Sequence, residues 1–158
     1  MPQLDALYTT LYGSNPQATI DYGDAPDAAA GTTVGDYQTT ESDDGPRHAV
    51  VSQLRLGANA PDGDSGLLQD VAATADDLSR ATNDEDGIAV LPFITTQSSQ
   101  VILSAAVYNN TGADATVACW IDFNRDGDFV AAERASAVVT SSAVQQIAAL
   151  SFSGFGSP

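Results

Sequence analysis

The sequence predicts an all-β fold, an antiparallel β-sandwich of jelly-roll or immunoglobulin-like type that carries long acidic loops. Two observations favour it. The second half of the chain contains several β-branched or alternating runs separated by turn residues, of which Asn109–Gly112 and Asn124–Gly127 are the clearest. The first half contains two acidic segments without hydrophobic periodicity, residues 21–47 and 57–87, which are typical of loops. A chain of 158 residues is one domain in size.

In the first half, few segments have a strand pattern. Residues 4–20 alternate weakly and end in turn residues, so we expect an N-terminal strand or linker at 1–20 and the sandwich domain at 21–158. His48–Leu56 alternates clearly and predicts a strand. Residues 21–47, between these two segments, predict a loop. After His48–Leu56, a short helix is expected around Leu67–Ala73.

The second half predicts five strands. Their bounds are Ile88–Thr95, Gln100–Asn109, Ala115–Phe123, Ser136–Thr140 and Val144–Phe152. In the third of these, Cys119 and Trp120 point to opposite faces, and both faces are apolar. That pattern predicts a central strand covered on both sides.

Charge excludes several classes of partner. The chain carries 21 acidic and 5 basic residues, a formal net charge of -16, and all five basic residues are arginine. Nucleic acids and anionic membrane surfaces are bound through basic footprints, so neither is an expected partner. No apolar stretch approaches the roughly 20 residues that cross a bilayer, so membrane insertion is not expected.

The acidic residues are unevenly distributed. Aspartate outnumbers glutamate 18 to 3, and seven acids lie in residues 21–44, eight in 62–86 and four in 122–133. Charges packed this densely repel one another unless a cation lies between them. The charge therefore predicts bound cations, with adaptation to high salt as the alternative explanation.

The most specific motif is the twelve-residue segment Asp122–Glu133. It matches the calcium-loop pattern D-x-[DN]-x-[DN]-G-x5-E at every position. Calcium takes six to eight oxygen ligands, and alternate residues of a tight loop direct several oxygens to one centre. The predicted ligands are the side chains of Asp122, Asn124, Asp126 and Glu133 and the backbone carbonyl of Asp128. Because Ala115–Ile121 reads as a strand, the loop is expected to follow a strand rather than a helix.

Two weaker acidic clusters predict a second calcium site. The first contains Asp21, Asp24 and Asp27; the second contains Asp62, Asp64, Asp76, Asp77, Asp84, Glu85 and Asp86. The predicted ligands among them are all the aspartates except Asp21. The alternative for both is a polar loop, which aspartate favours because its side chain bonds nearby backbone.

Catalysis is not expected. Gly63–Gly66 resembles the nucleophile segment of chymotrypsin-like proteases, but the single histidine, His48, is only 17 residues upstream, which does not fit a triad. One histidine and one cysteine, Cys119, also leave the usual zinc ligand sets incomplete. His48 is expected to be a structural or strand-edge residue.

Several segments together resemble the GEVED domain. They are Asp21–Asp27, Gly45–His48, Leu56–Gly57 with Asp62–Gly63, Asn83–Ile88 and Trp120–Phe129. The resemblance spans about residues 21–152 and implies a calcium-stabilised, non-catalytic β module of secreted bacterial surface, adhesion and matrix proteins. It implies metal-loop roles for Asp24, Asp27, Asp84, Asp86 and the loop 122–133.

The chain departs from the family at both ends. The acidic segment that names the family is missing near the C-terminal strand, and residues 1–20 have no counterpart. We therefore expect the closing strand to come from a neighbouring copy, through strand addition by residues 4–12.

The predicted function is a non-catalytic extracellular calcium-binding module with a structural or attachment role. Its predicted partners are calcium ions and a surface glycan or protein. Two alternatives remain at this point. One is a fibre subunit joined to copies of itself by strand addition, and the other is a calcium-dependent carbohydrate-binding module with an exposed aromatic such as Phe123 or Tyr108 near the ion.

Overall fold

The structure is a computed structural model that describes residues 20–28, 33, 35–61, 63, 69–74, 87–95 and 98–154. The described residues form seven strands and two short 3-10 turns. The strands are β1 (Ile20–Tyr22), β2 (Arg47–Ala49), β3 (Leu54–Leu56), β4 (Gln100–Asn109), β5 (Ala115–Trp120), β6 (Arg134–Val139) and β7 (Gln146–Ser153). The 3-10 turns are Glu41–Asp43 and Ala131–Glu133.

The strands pair in three antiparallel groups. β3, β4 and β7 form a three-stranded sheet with β4 in the middle, while β1 pairs with β2 and β5 pairs with β6. The longest ladder joins β4 to β7, from Gln100 opposite Ser153 to Val107 opposite Gln146. No helix among the described residues is long and apolar enough to span a membrane.

The core follows from the alternation of β4 and β7. Alternate residues of both strands are buried, and β6 adds two more small or branched side chains. The buried set is Val101, Leu103, Ala105, Val107, Ala135, Val139, Ala148, Leu150 and Phe152. Partly buried side chains from β5, β6 and the start of the next loop pack against it: Val117, Cys119, Ile121, Phe123 and Ala137. Side chains of β5 and β6 thus pack against the buried residues of β4 and β7, which places the end of β5 beside the core.

Four of the predicted strands are confirmed. β4 has the predicted bounds, and β5, β6 and β7 lie within or close to theirs. The predicted strand His48–Leu56 is divided into β2 and β3 by a tight turn in which Leu54 N donates to Val51 O at 2.8 Å. The division lets β2 pair with β1 while β3 pairs with β4.

The predicted strand Ile88–Thr95 is wrong. This segment has no strand pairing, and Pro92 lies in the middle of it, where a proline removes a ladder donor. Val90, Leu91 and Phe93 are 77–89% exposed. Together with Ile102 and Ile147 on the outer face of β4 and β7, part of this segment lines an open apolar groove.

Two further expectations are corrected. The predicted helix around Leu67–Ala73 is replaced, over the described residues 69–74, by a turn in which Asp70 Oδ1 accepts from Ala72 N and Thr74 N. A short side chain that bonds its own backbone competes with a helix in this way.

β5 is not a central strand among the described strands, because it pairs with β6 alone and is only half-buried.

The calcium-loop candidate at the end of β5

The segment Asp122–Glu133 follows β5 directly and leads through a 3-10 turn into β6. The prediction that this loop follows a strand rather than a helix is confirmed. Its neck is closed by a hydrogen bond from Ile121 N to Glu133 O at 3.0 Å, which continues the β5–β6 pairing past Trp120 opposite Arg134. The two ends of the twelve-residue segment are therefore held together by the sheet itself.

Asp122 organises the first half of the loop. Its Oδ1 accepts from Arg125 N at 2.5 Å and Asp126 N at 3.3 Å, and its Oδ2 accepts from Gly127 N at 3.1 Å. Arg125 and Gly127 have φ angles of 61° and 85°, so the chain turns sharply around this carboxylate. The aspartate at the first position thus gathers the backbone donors that the turn would otherwise leave unpaired.

The side chains at the third and fifth positions meet each other. Asn124 Nδ2 donates to Asp126 Oδ2 at 2.8 Å, and Asn124 Oδ1 accepts from Asp126 N at 3.0 Å. Asp126 Oδ1 accepts from Asp128 N at 2.9 Å. Asn124, Asp126 and Asp128 are all exposed, so this side of the loop is open to solvent ions.

Glu133 closes the loop from the opposite end. Only 4% of it is exposed, and its two carboxylate oxygens accept from Phe123 N at 3.0 Å and Val130 N at 3.2 Å. A buried carboxylate needs such charge-assisted hydrogen bonds or a cation, because its desolvation is otherwise costly. Glu133 therefore holds the beginning of the loop, at Phe123, and its end, at Val130, with one carboxylate.

The oxygen donors fit the chemistry of calcium. They comprise the carboxylates of Asp122, Asp126 and Glu133, the Asn124 amide oxygen and the Asp128 backbone carbonyl, and hard oxygen donors are the ligands that calcium prefers. Within the described part of the chain, no three His, Cys, Asp or Glu side chains are close enough together to form a metal cluster. In this arrangement the carboxylates instead accept hydrogen bonds from the loop's own backbone.

Two residues of the acidic segment 21–47, Thr33 and Tyr37, lie beside this loop. The Tyr37 ring stacks on the Phe129 ring with centroids 4.7 Å apart and planes 9° apart. Tyr37 Oη donates to Asp122 Oδ2 at 3.2 Å, and a Cβ at Gly127 would collide with the backbone carbonyl of Thr33. Tyr37 is not among the site residues predicted from the sequence. A tyrosine in an acidic segment without hydrophobic periodicity could have indicated that this segment packs against another part of the domain.

Of the weaker predicted ligands, two fall in the described residues. Asp27 Oδ2 accepts from Thr39 N at 2.8 Å and Thr40 N at 2.9 Å, so it holds the turn that carries Tyr37. Asp24 lies half-buried in the same segment. The remaining six, Asp62, Asp64, Asp76, Asp77, Asp84 and Asp86, lie outside the described residues, as do residues 4–12 with their predicted strand exchange, so these calls stay predictions.

The lone histidine lies on β2 opposite Asp21. His48 Nε2 is 3.4 Å from Asp21 Oδ2, and Asp21 is buried. Partial burial lowers the pKa of His48, because desolvation disfavours the charged ring. This position in a strand pair agrees with the expected structural role.

The aromatic side chains expected near a sugar ligand are half-buried and contact other side chains. The Phe123 ring packs edge-on against the core residue Phe152, with centroids 6.0 Å apart. The Arg55 guanidinium lies over the Tyr108 ring at 3.9 Å from its centroid. The described residues therefore add no observation that favours the carbohydrate-binding alternative.

Comparison with protein-family models, with curated proteins and with solved structures gave no match. The comparisons therefore neither support nor refute the resemblance to the GEVED domain.

Proposed function

We propose that this chain is a non-catalytic, calcium-binding β-sandwich module with a structural or attachment role. The observation that carries the proposal is the loop 122–133. It has the full twelve-position spacing of oxygen donors, its neck is held by the sheet through Ile121 and Glu133, and its open side carries exposed acids. When bound, calcium supplies the positive charge that offsets the repulsion among the loop carboxylates.

The backbone hydrogen bonds of the loop are compatible with this role. Each oxygen of Glu133 and of Asp126 accepts a single hydrogen bond and retains a lone pair for an ion. Each oxygen of Asp122 already accepts two, so calcium would replace one of these hydrogen bonds when Asp122 binds it. The bonds to Asp122 and Glu133 hold these side chains on the inner side of the loop before any ion arrives. Preorganised ligands lose less conformational entropy on binding.

The sandwich is supported by the position of the core. The buried alternate residues of β4 and β7 face the side chains of β5 and β6, as expected where two antiparallel sheets pack face to face. The extracellular setting, and membership of a bacterial surface, adhesion or matrix protein, rest on the resemblance to the GEVED domain.

Calcium titration by isothermal calorimetry tests the proposal, with two substitutions that each remove one negative charge. Asp126→Asn changes the loop, whereas Asp114→Asn changes an exposed acid in the β4–β5 turn. We expect saturable calcium binding by the wild type, a loss of affinity of about tenfold or more in Asp126→Asn, and affinity within about twofold in Asp114→Asn. An absence of binding, or equal affinities in all three proteins, would contradict the proposal.

A further inference from the structure

Thr33 and Tyr37 cover one side of the calcium-loop candidate through three separate contacts. The Tyr37 ring stacks on Phe129, the Tyr37 hydroxyl bonds Asp122, and the Thr33 backbone lies where a Cβ at Gly127 would be. Asp122 and Gly127 are the first and sixth positions of the calcium pattern. The contacts therefore reach the carboxylate that opens the loop and the glycine at its sharp turn.

The covering segment is itself a hydrogen-bonded unit. Tyr37 N donates to Pro26 O at 2.7 Å, and Thr39 Oγ1 donates to Ala25 O at 2.7 Å. Gln69 Nε2 lies within hydrogen-bonding distance of both Gly23 O, at 3.2 Å, and Thr39 O, at 3.3 Å. A change in the position of Tyr37 is thus transmitted to the turn around Asp27 and towards the β1–β2 pair.

We propose that Tyr37 is a positioning residue for the loop and that calcium binding and the docking of Thr33 and Tyr37 on the loop are thermodynamically coupled. This inference rests on the calcium site proposed above. Stacking on Phe129 fixes the ring, and the fixed ring directs its hydroxyl to Asp122 Oδ2, which holds that carboxylate in one rotamer. Ordering Asp122 in advance removes part of the entropy cost of ion binding.

The coupling acts in both directions. If docking of Thr33 and Tyr37 on the loop raises its calcium affinity, calcium must stabilise the docked arrangement by the same factor. Calcium then stabilises the turn around Tyr37 as well as its own loop. The acidic segments 35–44 and 122–133 would therefore respond to calcium together.

Hydrogen exchange of the wild type measures the coupling without any substitution. The amides of Tyr37, Thr39 and Gly45 donate to backbone oxygens in this segment or to Asp27. We expect calcium to slow exchange in residues 35–45 by about fivefold or more relative to excess chelator, since coupling energies typically give 5- to 150-fold effects. The amides of β4 supply the internal reference, because no contact between Tyr37 and β4, both within the described ranges, links them to the docked residues.

Calorimetric calcium titration of three variants measures the reverse direction. Tyr37→Phe removes only the hydroxyl and is expected to weaken calcium binding about 2- to 10-fold, the range for one hydrogen bond. Tyr37→Ala also removes the stack and is expected to weaken it further. Tyr108→Phe, which removes a hydroxyl on β4 away from the loop, is the matched control and should leave the affinity unchanged.

The outcomes separate the two proposals. Calcium binding with equal affinity in the wild type and Tyr37→Ala, or unchanged exchange in residues 35–45, overturns the coupling and leaves the calcium site in place. Absence of binding by the wild type overturns the calcium site and the coupling with it. If Tyr37→Ala does not fold, the wild-type exchange measurement and Tyr37→Phe still decide the matter.

Discussion

Replacing Glu133 by glutamine tests the chemistry of the loop most sharply, because the change removes a charge at constant shape. Glu133 is 4% exposed and accepts one hydrogen bond on each carboxylate oxygen, from Phe123 N and Val130 N. Glutamine can accept only one of them and turns an NH2 group towards the other donor. Loss of one charge-assisted bond, with a partly buried N–H left unpaired, should cost about 1–3 kcal/mol of the free energy of unfolding in excess chelator.

Calcium should widen that difference. Glutamine cannot supply the bidentate carboxylate that closes a calcium loop at its twelfth position, so the variant should gain little from the ion. If calcium binds as proposed, the wild type should gain about 2.7 kcal/mol at a calcium concentration 100 times Kd. Urea unfolding of the wild type and of Glu133→Gln, each in chelator and in calcium, measures the cost of the substitution and the stabilisation by calcium. A variant as stable as the wild type in chelator would refute the role of the two hydrogen bonds, and an equal difference in both conditions would refute the role of Glu133 as a ligand.

Three further predictions concern the scaffold. Leu103→Ala should lower the free energy of unfolding by about 2–5 kcal/mol, because Leu103 is only 3% exposed. Ile102→Ala, at a neighbouring site that is 56% exposed, should cost less than about 1 kcal/mol. Similar losses for both variants in urea unfolding would contradict the assigned core. Gly127→Ala should lower the free energy of unfolding more than Gly112→Ala does in the same assay. Both glycines have φ = 85°, but only at Gly127 would the new Cβ collide with a neighbour, the Thr33 backbone. Equal losses for the two variants would contradict the contact between Gly127 and Thr33. Burial raises the pKa of Cys119, so iodoacetamide at pH 8 should alkylate the folded chain at least about tenfold more slowly than the urea-unfolded chain, and equal rates would show that the thiol is accessible. Since the folded-state pKa is the higher one, the stability that the protonated thiol contributes is complete below the unfolded value of about 8.5 and is lost as the pH rises through the folded value.

The long strands were predictable because they carry the core. β4 alternates over ten residues, so its period is unambiguous and its bounds agree with the sequence. Ile88–Thr95 has comparable apolar content, but Pro92 and the lack of a partner strand leave it irregular. A strand needs a neighbour to accept its hydrogen bonds, and a single sequence does not identify that neighbour.

The calcium-loop spacing was also readable from sequence, since all its positions lie within one local segment. The packing of Tyr37 on Phe129 was not, because 92 positions separate the two residues and residues 21–47 have no periodicity. Asn109 is a similar case. It begins a glycosylation sequon, yet it is fully buried and its amide donates to Ala113 O and Val139 O, both at 2.9 Å, so its role is to join the β4–β5 turn to β6.

The central claim is that calcium holds the acidic loop together, and thermal unfolding in calcium and in excess chelator tests it directly. At 100 times Kd the stabilisation of about 2.7 kcal/mol should raise the midpoint by about 5–10 °C for a chain of this size. Magnesium at the same concentration supplies the ionic-strength control, and it should give a smaller shift because it demands a tighter octahedral shell. A midpoint that is the same in calcium and in chelator would contradict the account.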